Sequence, residues 1–271
     1  MRVTTRNARF QQWEALLGNR TKRQREGAFL VQGVRPITLA LQFGVELREV
    51  LYNADVALSA WARAALESVR VPRFAVAGEL MAELGGKDEA TPELLAVATL
   101  PADDLARVPV GPGLLAVVFD RPSSPGNIGT LIRSADAFGA GGVVVTGHAA
   151  DVYDPRAVRA STGSLFAVPA VRVPSHRAVL DWVAASRAGG TAAQLVGTDE
   201  HGDLDLAAYD FTRPTVVVIG NETTGLSTAW RDACDHLLRI PMAGAASSLN
   251  AATAASIVLY ESARQRAAVS G

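Results

Sequence analysis

Three short segments gather the side chains that could orient a ligand or a reacting group. The first, residues 120–133 (DRPSSPGNIGTLIR), is a Pro/Gly loop behind an apolar run and carries Asn127 and Arg133. Asn127 suits the N-cap of the helix that follows, which would explain it without any ligand. Arg133 lies six residues on, nearly two turns along, so it points back at the strand end only if the helix packs there; otherwise it is a surface arginine. The second segment, residues 219–226 (IGNETTGL), sets Glu222 between Gly220 and Gly225. Glycines there allow backbone to approach a ligand closely, while a carboxylate at a strand end can hold a donor or be simply solvated. The third, residues 240–250 (IPMAGAASSLN), offers Ser247, Ser248 and Asn250, all good helix caps as well as hydrogen-bonding groups.

Other chemistries find no support. GPGLLA at residues 111–116 has dinucleotide-loop spacing, but it precedes an apolar run where a phosphate cradle must follow one. There is no GxxxxGK[ST], HExxH or GxSxG, and His148, His176, His201 and His236 are scattered without ligand spacing. Asp199, Glu200, Asp203 and Asp205 lack EF-hand spacing and read as a polar loop. Cys234 stands alone, which excludes an internal disulfide framework and fits a reducing compartment. No metal is expected.

The elements that must position these loops follow from the apolar pattern. Short strand-like runs at residues 29–31, 50–52, 74–76 and 94–98 alternate with helical stretches at 37–43 and 58–69, giving a small α/β domain. Residues 100–113 (LPADDLARVPVGPG) hold three prolines and two glycines and read as a linker, so the domains are expected at 1–106 and 107–271. Beyond it, runs at 114–119, 143–146, 168–173, 195–196, 216–219 and 237–240 are apolar throughout, as strands covered on both faces are. The second domain is therefore expected to be α/β with a mainly parallel sheet. Ligands in such sheets bind beyond the carboxyl ends of the strands, where the three polar loops fall.

Charge is uneven along a chain of 271 residues with formal net charge −1. Residues 1–35 carry eight basic side chains against two acidic, whereas residues 36–105 carry five against eleven. Arg6, Arg9, Arg20, Lys22, Arg23, Arg25 and Arg35, interleaved with Phe10 and Trp13, form a basic arm able to neutralise phosphates and offer stacking faces, hence candidates for RNA contact. A solvated basic helix is the alternative. No signal-peptide pattern and no 18-residue apolar run occur, so a cytoplasmic protein without a membrane span is expected.

Taken in order, NIGTLIRSADAFGA, IGNETTGLS and IPMAGAASSLNAATAASIVLYE resemble the three motifs of the SpoU family of 2′-O-ribose RNA methyltransferases, within the knotted SPOUT class. Residues 6–35 resemble the opening of the small substrate-binding domain that many members carry. SPGNIG, HAADVYDP and STGSLF are most similar to the avilamycin-resistance, rRNA-modifying branch of the family.

The resemblance implies a C-terminal SPOUT domain with a deep trefoil knot, an N-terminal RNA-binding domain, S-adenosyl-L-methionine as cofactor and a homodimer with shared active sites. The small residues at 251–255 would suit close packing at that interface. Gly220, Ile240 and Leu249 match cofactor-binding positions, with Asn221 and Met242 beside them; Thr198 is assigned by its strand end. Asn127, Arg133, Glu222, Ser248 and Asn250 match catalytic positions. Arg133 would favour alkoxide character at the ribose 2′-hydroxyl, and the others would orient the arginine, the ribose and the loops. The implied substrate is 23S rRNA, with antibiotic resistance as an implied consequence, and a tRNA enzyme or a non-catalytic RNA-binding dimer as alternatives.

Overall fold

The computed structural model describes residues 1–86 and 90–270. The chain divides into two compact units, residues 1–101 with 153–166, and residues 102–152 with 167–271.

In the first unit, β1 (Arg2–Val3), β2 (Ala28–Gln32), β3 (Leu47–Asn53), β4 (Arg73–Val76) and β5 (Leu94–Thr99) form a sheet ordered β1-β4-β3-β5-β2. The β1, β3 and β4 strands run parallel, and β5 is antiparallel to both its neighbours. Helices α1 (Ala8–Gly18), α2 (Arg20–Glu26), α3 (Val34–Gln42), α4 (Ala60–Ser68) and α5 (Gly78–Gly85) accompany it. Asn7 caps α1, accepting from the N–H groups of Arg9 and Phe10, and Phe10, Trp13 and Leu16 carry that helix into a core with Leu30, Leu51 and Phe74. The Trp13 and Phe74 rings meet edge to face at 5.2 Å.

Residues 1–35 are thus not a free arm. Arg23 is buried, and its Nη1 donates to the Leu16 and Leu17 carbonyls at 2.6 and 2.9 Å, closing the C-terminal end of α1. The expectation that Arg23 contacts RNA is therefore corrected: its guanidinium is held inside the fold. Arg9 pairs with Glu49 and lies over the Phe74 ring, and Arg6 pairs with Glu14 and, at 3.1 Å, with Glu83. Arg20, Arg25 and Arg35 are exposed and Lys22 is half-buried.

The second unit holds seven parallel strands: β6 (Leu115–Asp120), β7 (Gly142–Thr146), β8 (Ala170–Val173), β9 (Gln194–Thr198), β10 (Leu204–Asp205), β11 (Thr215–Ile219) and β12 (His236–Arg239). Their order is β10-β12-β9-β11-β6-β7-β8, with every pairing parallel. Every residue of β6, β7 and β11 is buried, matching the unbroken apolar runs. The helices are α6 (Pro125–Ala137), α9 (His176–Ala188), α10 (Thr228–Ala233) and α11 (Ala251–Ser270), while α7 (Pro155–Ala160) and all but the last residue of α8 (Ser164–Ala167) belong to the first unit.

Two boundaries differ from expectation. The division falls after residue 101, not 106, because Leu105 and buried Val108 pack into the second core; Val108 sits so close to β7 that a Cβ on Gly142 would lie 2.8 Å from it. Residues 153–166 join the first unit because Tyr153 and Phe166 pack their rings against Phe29 of β2, with centroids 4.7 and 6.4 Å away.

The N-cap of α6 is Ser124, not Asn127. Pro125 occupies the first helical position and Ser124 Oγ accepts from the Asn127 N–H, which sets Asn127 in the first turn. Asn250 does cap α11, accepting from the N–H groups of Ala252 and Thr253 at 2.9 and 3.2 Å. Ala251, Ala252 and Ala255 are buried within this chain, where α11 lies against α6 and Ser134 Oγ meets Ser256 Oγ at 2.7 Å. Their small size lets these two helices approach, so it is already used before any second copy is considered.

Candidate active site

Because the sheet is parallel, the carboxyl ends of β6, β11, β9 and β12 open on one edge. The loops leaving them carry the three polar segments. A cleft of about 370 Å³ lies there, within the ~300–1,000 Å³ expected for small-ligand sites. Thr198, Gly220, Asn221, Ile240, Met242 and Leu249 all line it, as do Glu222 and Ser248.

Glu222 ties the second loop to the first. Its carboxylate accepts from the Ser123 N–H at 2.9 Å, Ser123 Oγ at 3.1 Å, the Ser124 N–H at 3.1 Å and Asn127 Nδ2 at 3.1 Å. Burial pushes its carboxyl up, but hydrogen bonds from the Ser123 N–H, its own N–H, Asn127 and the Ser124 N–H outweigh that and hold it below the ordinary range. Glu222 is consequently an anion at neutral pH, set beside the positive end of α6. Asn250 Nδ2 in turn donates to Asn127 Oδ1 at 3.1 Å. All three loops thus meet in one hydrogen-bonded chain, Asn250 to Asn127 to Glu222.

Asn221 shapes the second loop. Its backbone bridges Gly225 in both directions at 3.0 Å, its Oδ1 accepts from the N–H groups of Thr223 and Thr224, and its Nδ2 donates to the Arg121 carbonyl at 2.7 Å. Both ends of its side chain are committed to protein groups. Gly220 is required by the tightness of this loop: a Cβ would stand 2.4 Å from the Gly225 carbonyl carbon and 2.5 Å from the Leu226 nitrogen.

Arg133 stands apart. It is exposed on α6 and is not among the residues lining the cleft of its own chain. Sequence reasoning missed Asp199 and Arg231, which form a 2.7 Å ion pair in the cleft wall with the Asp199 side chain buried. The only available signal was the position of Asp199 directly after a strand end. With Asp199 neutralised by Arg231, Glu200 and Glu222 leave the cleft with an excess of negative charge, which suits a cationic ligand. Ile219, Leu226, Leu238 and Ile240 supply an apolar wall. Among the described residues no three His, Cys, Asp or Glu side chains gather as a metal-ligand set, and no helix is long and apolar enough to cross a membrane.

This seven-stranded parallel sheet, with its three joined strand-end loops and small-residue C-terminal helix, has the fold of SpoU/SPOUT methyltransferases of known structure. The chain belongs to the SpoU rRNA Methylase family, which it matches over residues 114–260, and residues 7–96 match the SpoU L30e-like domain. It is 63% identical over 265 residues to the 23S rRNA (uridine(2479)-2′-O)-methyltransferase of Streptomyces viridochromogenes, covering 98% of this chain and 92% of that one. The crystal structure of the SpoU methyltransferase AviRb from the same organism, in complex with AdoMet, superposes with a TM-score of 0.94 at 62% identity, over 97% of this chain and 99% of that one. An AdoMet-bound rRNA methyltransferase from Sinorhizobium meliloti has a TM-score of 0.87 at 27% identity, over 97% of each chain.

Proposed function

We propose that this protein transfers a methyl group from S-adenosylmethionine to a ribose 2′-hydroxyl of RNA, with 23S rRNA as the target. The observation that carries this reading is the single cleft lined by all six residues expected to hold the cofactor, with Asn127, Glu222 and Asn250 joined beside it. Similarity over nearly the whole chain to a named 23S rRNA 2′-O-methyltransferase supports the substrate.

The cofactor, when bound, supplies an electrophilic methyl group on a sulfonium. Thr198, Gly220, Asn221, Ile240, Met242 and Leu249 hold it, mainly through backbone groups, against the apolar wall. Glu222 and Asn127 fix the geometry of the loops, and Asn250 and Ser248 position the ribose. Arg133 favours the alkoxide character of the 2′-oxygen by charge. Since Arg133 is exposed away from its own cleft, this role fits a homodimer in which one protomer presents Arg133 to its partner's site. A trefoil knot formed by the 240–250 segment and α11 accompanies that assembly. Arg20, Lys22, Arg25 and Arg35, with Arg6 and Arg9 at the margin, attract the RNA phosphates. The enzyme acts in the cytoplasm, and methylation at one 23S ribose confers resistance to an antibiotic that binds there.

The test is transfer of labelled methyl from S-adenosylmethionine to naked 23S rRNA, 16S rRNA and tRNA, followed by mapping of 2′-O-methylated riboses. Label at a single 23S ribose is expected. Label in tRNA alone overturns the substrate and the resistance role, and cofactor binding with no transfer to naked RNA or to ribosomal particles overturns the catalytic reading.

A further inference from the structure

Next to the cofactor cleft, and sharing Asn221 and Thr224 with it, lies a second recess walled by Arg121, Ser123, His148 and Ala150, of about 590 Å³. Nothing in the proposed reaction yet uses it. Arg121 is its notable feature, because the fold keeps this side chain there against its backbone preference. Its φ is +48°, in the left-handed region that glycine adopts freely and that other residues enter only against steric strain. Among the described residues only Thr162 shares it outside glycine. The facing wall makes room for the arginine stem: a Cβ on Gly147 would stand 2.8 Å from Arg121 Cγ.

The guanidinium is also aimed. Nε and Nη2 donate to Asp120 Oδ2 at 3.1 and 2.9 Å, and the buried Asp120 carboxylate is itself fixed by Thr146 Oγ1 at 2.9 Å. The Arg121 N–H donates to the Thr146 carbonyl at 3.1 Å, and the Arg121 carbonyl receives Asn221 Nδ2. Nη1 has no partner among the described residues, and the side chain is 42% exposed. A planar cation with two donors anchored and one edge open to a recess is arranged to receive an anionic oxygen. His148, exposed and without a partner among the described residues, adds a further donor to the same recess.

We propose that this recess binds the phosphodiester adjoining the target ribose, with Arg121 Nη1 donating to a phosphate oxygen and His148 contacting the same backbone. The inference rests on the RNA 2′-O-methyltransferase reading and deepens it. A 2′-hydroxyl presented to the cofactor cleft carries its own 3′-phosphate one carbon away, so the strand must leave through a space beside that cleft. Phosphate contacts of this kind set register and leave sequence to other groups.

The test uses the full-length protein with Arg121→Gly, which removes the guanidinium while suiting the left-handed backbone, and His148→Ala. Cofactor affinity is measured by calorimetry, and RNA affinity by filter binding of 23S rRNA across a salt series, which needs no turnover. Expected are a cofactor Kd within twofold of wild type, RNA binding weakened about tenfold for Arg121→Gly and less for His148→Ala, and a salt slope lowered by about one. Arg121→Lys should restore part of the affinity. RNA affinity and slope unchanged in both variants overturn the proposal, as does loss of cofactor binding in parallel with RNA binding. Failure of the wild-type protein to methylate any RNA would sink the enzymatic reading, while the binding series would still decide whether Arg121 contacts phosphate.

Discussion

Asn250 and Asn127, separated by 122 intervening residues, are joined amide to amide at 3.1 Å, and Asn127 passes the connection to Glu222. One side chain thereby uses its acceptor on one loop and its donor on another. Truncating either asparagine leaves the other's polar group without its partner. Asn127→Ala and Asn250→Ala should each lower kcat/KM by about 10- to 100-fold, equivalent to ~1.4–2.7 kcal/mol. The double variant should fall short of the sum, with a coupling of ~0.5–3 kcal/mol in a double-mutant cycle. Strict additivity would mean that the two residues act independently.

Glu222 gives a pH dependence of known sign. Its carboxyl is held below the ordinary value of 4.5, so its charge adds to folded stability above that value, and the contribution disappears as pH falls through the lowered folded value. Thermal melts of wild type and Glu222→Gln should therefore differ most at pH 7 and converge towards pH 3. A gap that stays constant would show that the ionised form is not what the loop selects.

Gly220→Ala is expected to abolish detectable cofactor binding, since its methyl group would press on the backbone of Gly225 and Leu226 at 2.4–2.5 Å, where no flexible side chain can yield. The forced shift should cost about 1–3 kcal/mol in stability. Calorimetric titration with S-adenosylmethionine, beside a melt, separates the two effects.

Arg133→Ala tests the division between binding and chemistry. Cofactor Kd should stay within twofold of wild type because Arg133 lies outside the cleft, while kcat drops by about 100-fold or more. Equal loss of cofactor affinity would assign Arg133 to the pocket.

Two arginines of the basic N-terminal region should behave oppositely. Arg23→Ala removes a buried guanidinium that closes α1 and should destabilise the protein by ~2–4 kcal/mol, lowering Tm by several degrees. Arg35→Ala, at an exposed side chain, should leave Tm unchanged and lower the salt slope of RNA binding by about one. A stable Arg23→Ala with weakened RNA binding would reverse this assignment.

The strands of both sheets were readable because their burial is written as unbroken apolar runs, and the polar loops were readable because each follows such a run. What escaped has little local pattern. The two-residue strands β1 and β10 are too short to show periodicity. Residues 153–166 join the first unit through ring contacts with Phe29, more than a hundred residues away, which no window reveals. Asn127 was expected at the cap because its side chain suits one, but Ser124 followed by Pro125 suits it better. Arg23 looks like its basic neighbours in sequence and differs only in facing the carbonyls at the end of α1. The family motifs pointed to Gly220, Asn221, Ile240, Met242 and Leu249, which line the cleft, whereas the Asp199–Arg231 pair, contributed by two elements without a shared motif, escaped.

The central pairing of the second sheet sets Leu115 beside Thr215, and the cleft is not complete until residues 240–254 are in place. A ribosome synthesising this protein must therefore complete almost all of the second unit before the cleft exists. A ligand of this cleft can therefore stabilise the finished fold by mass action but not the growing chain.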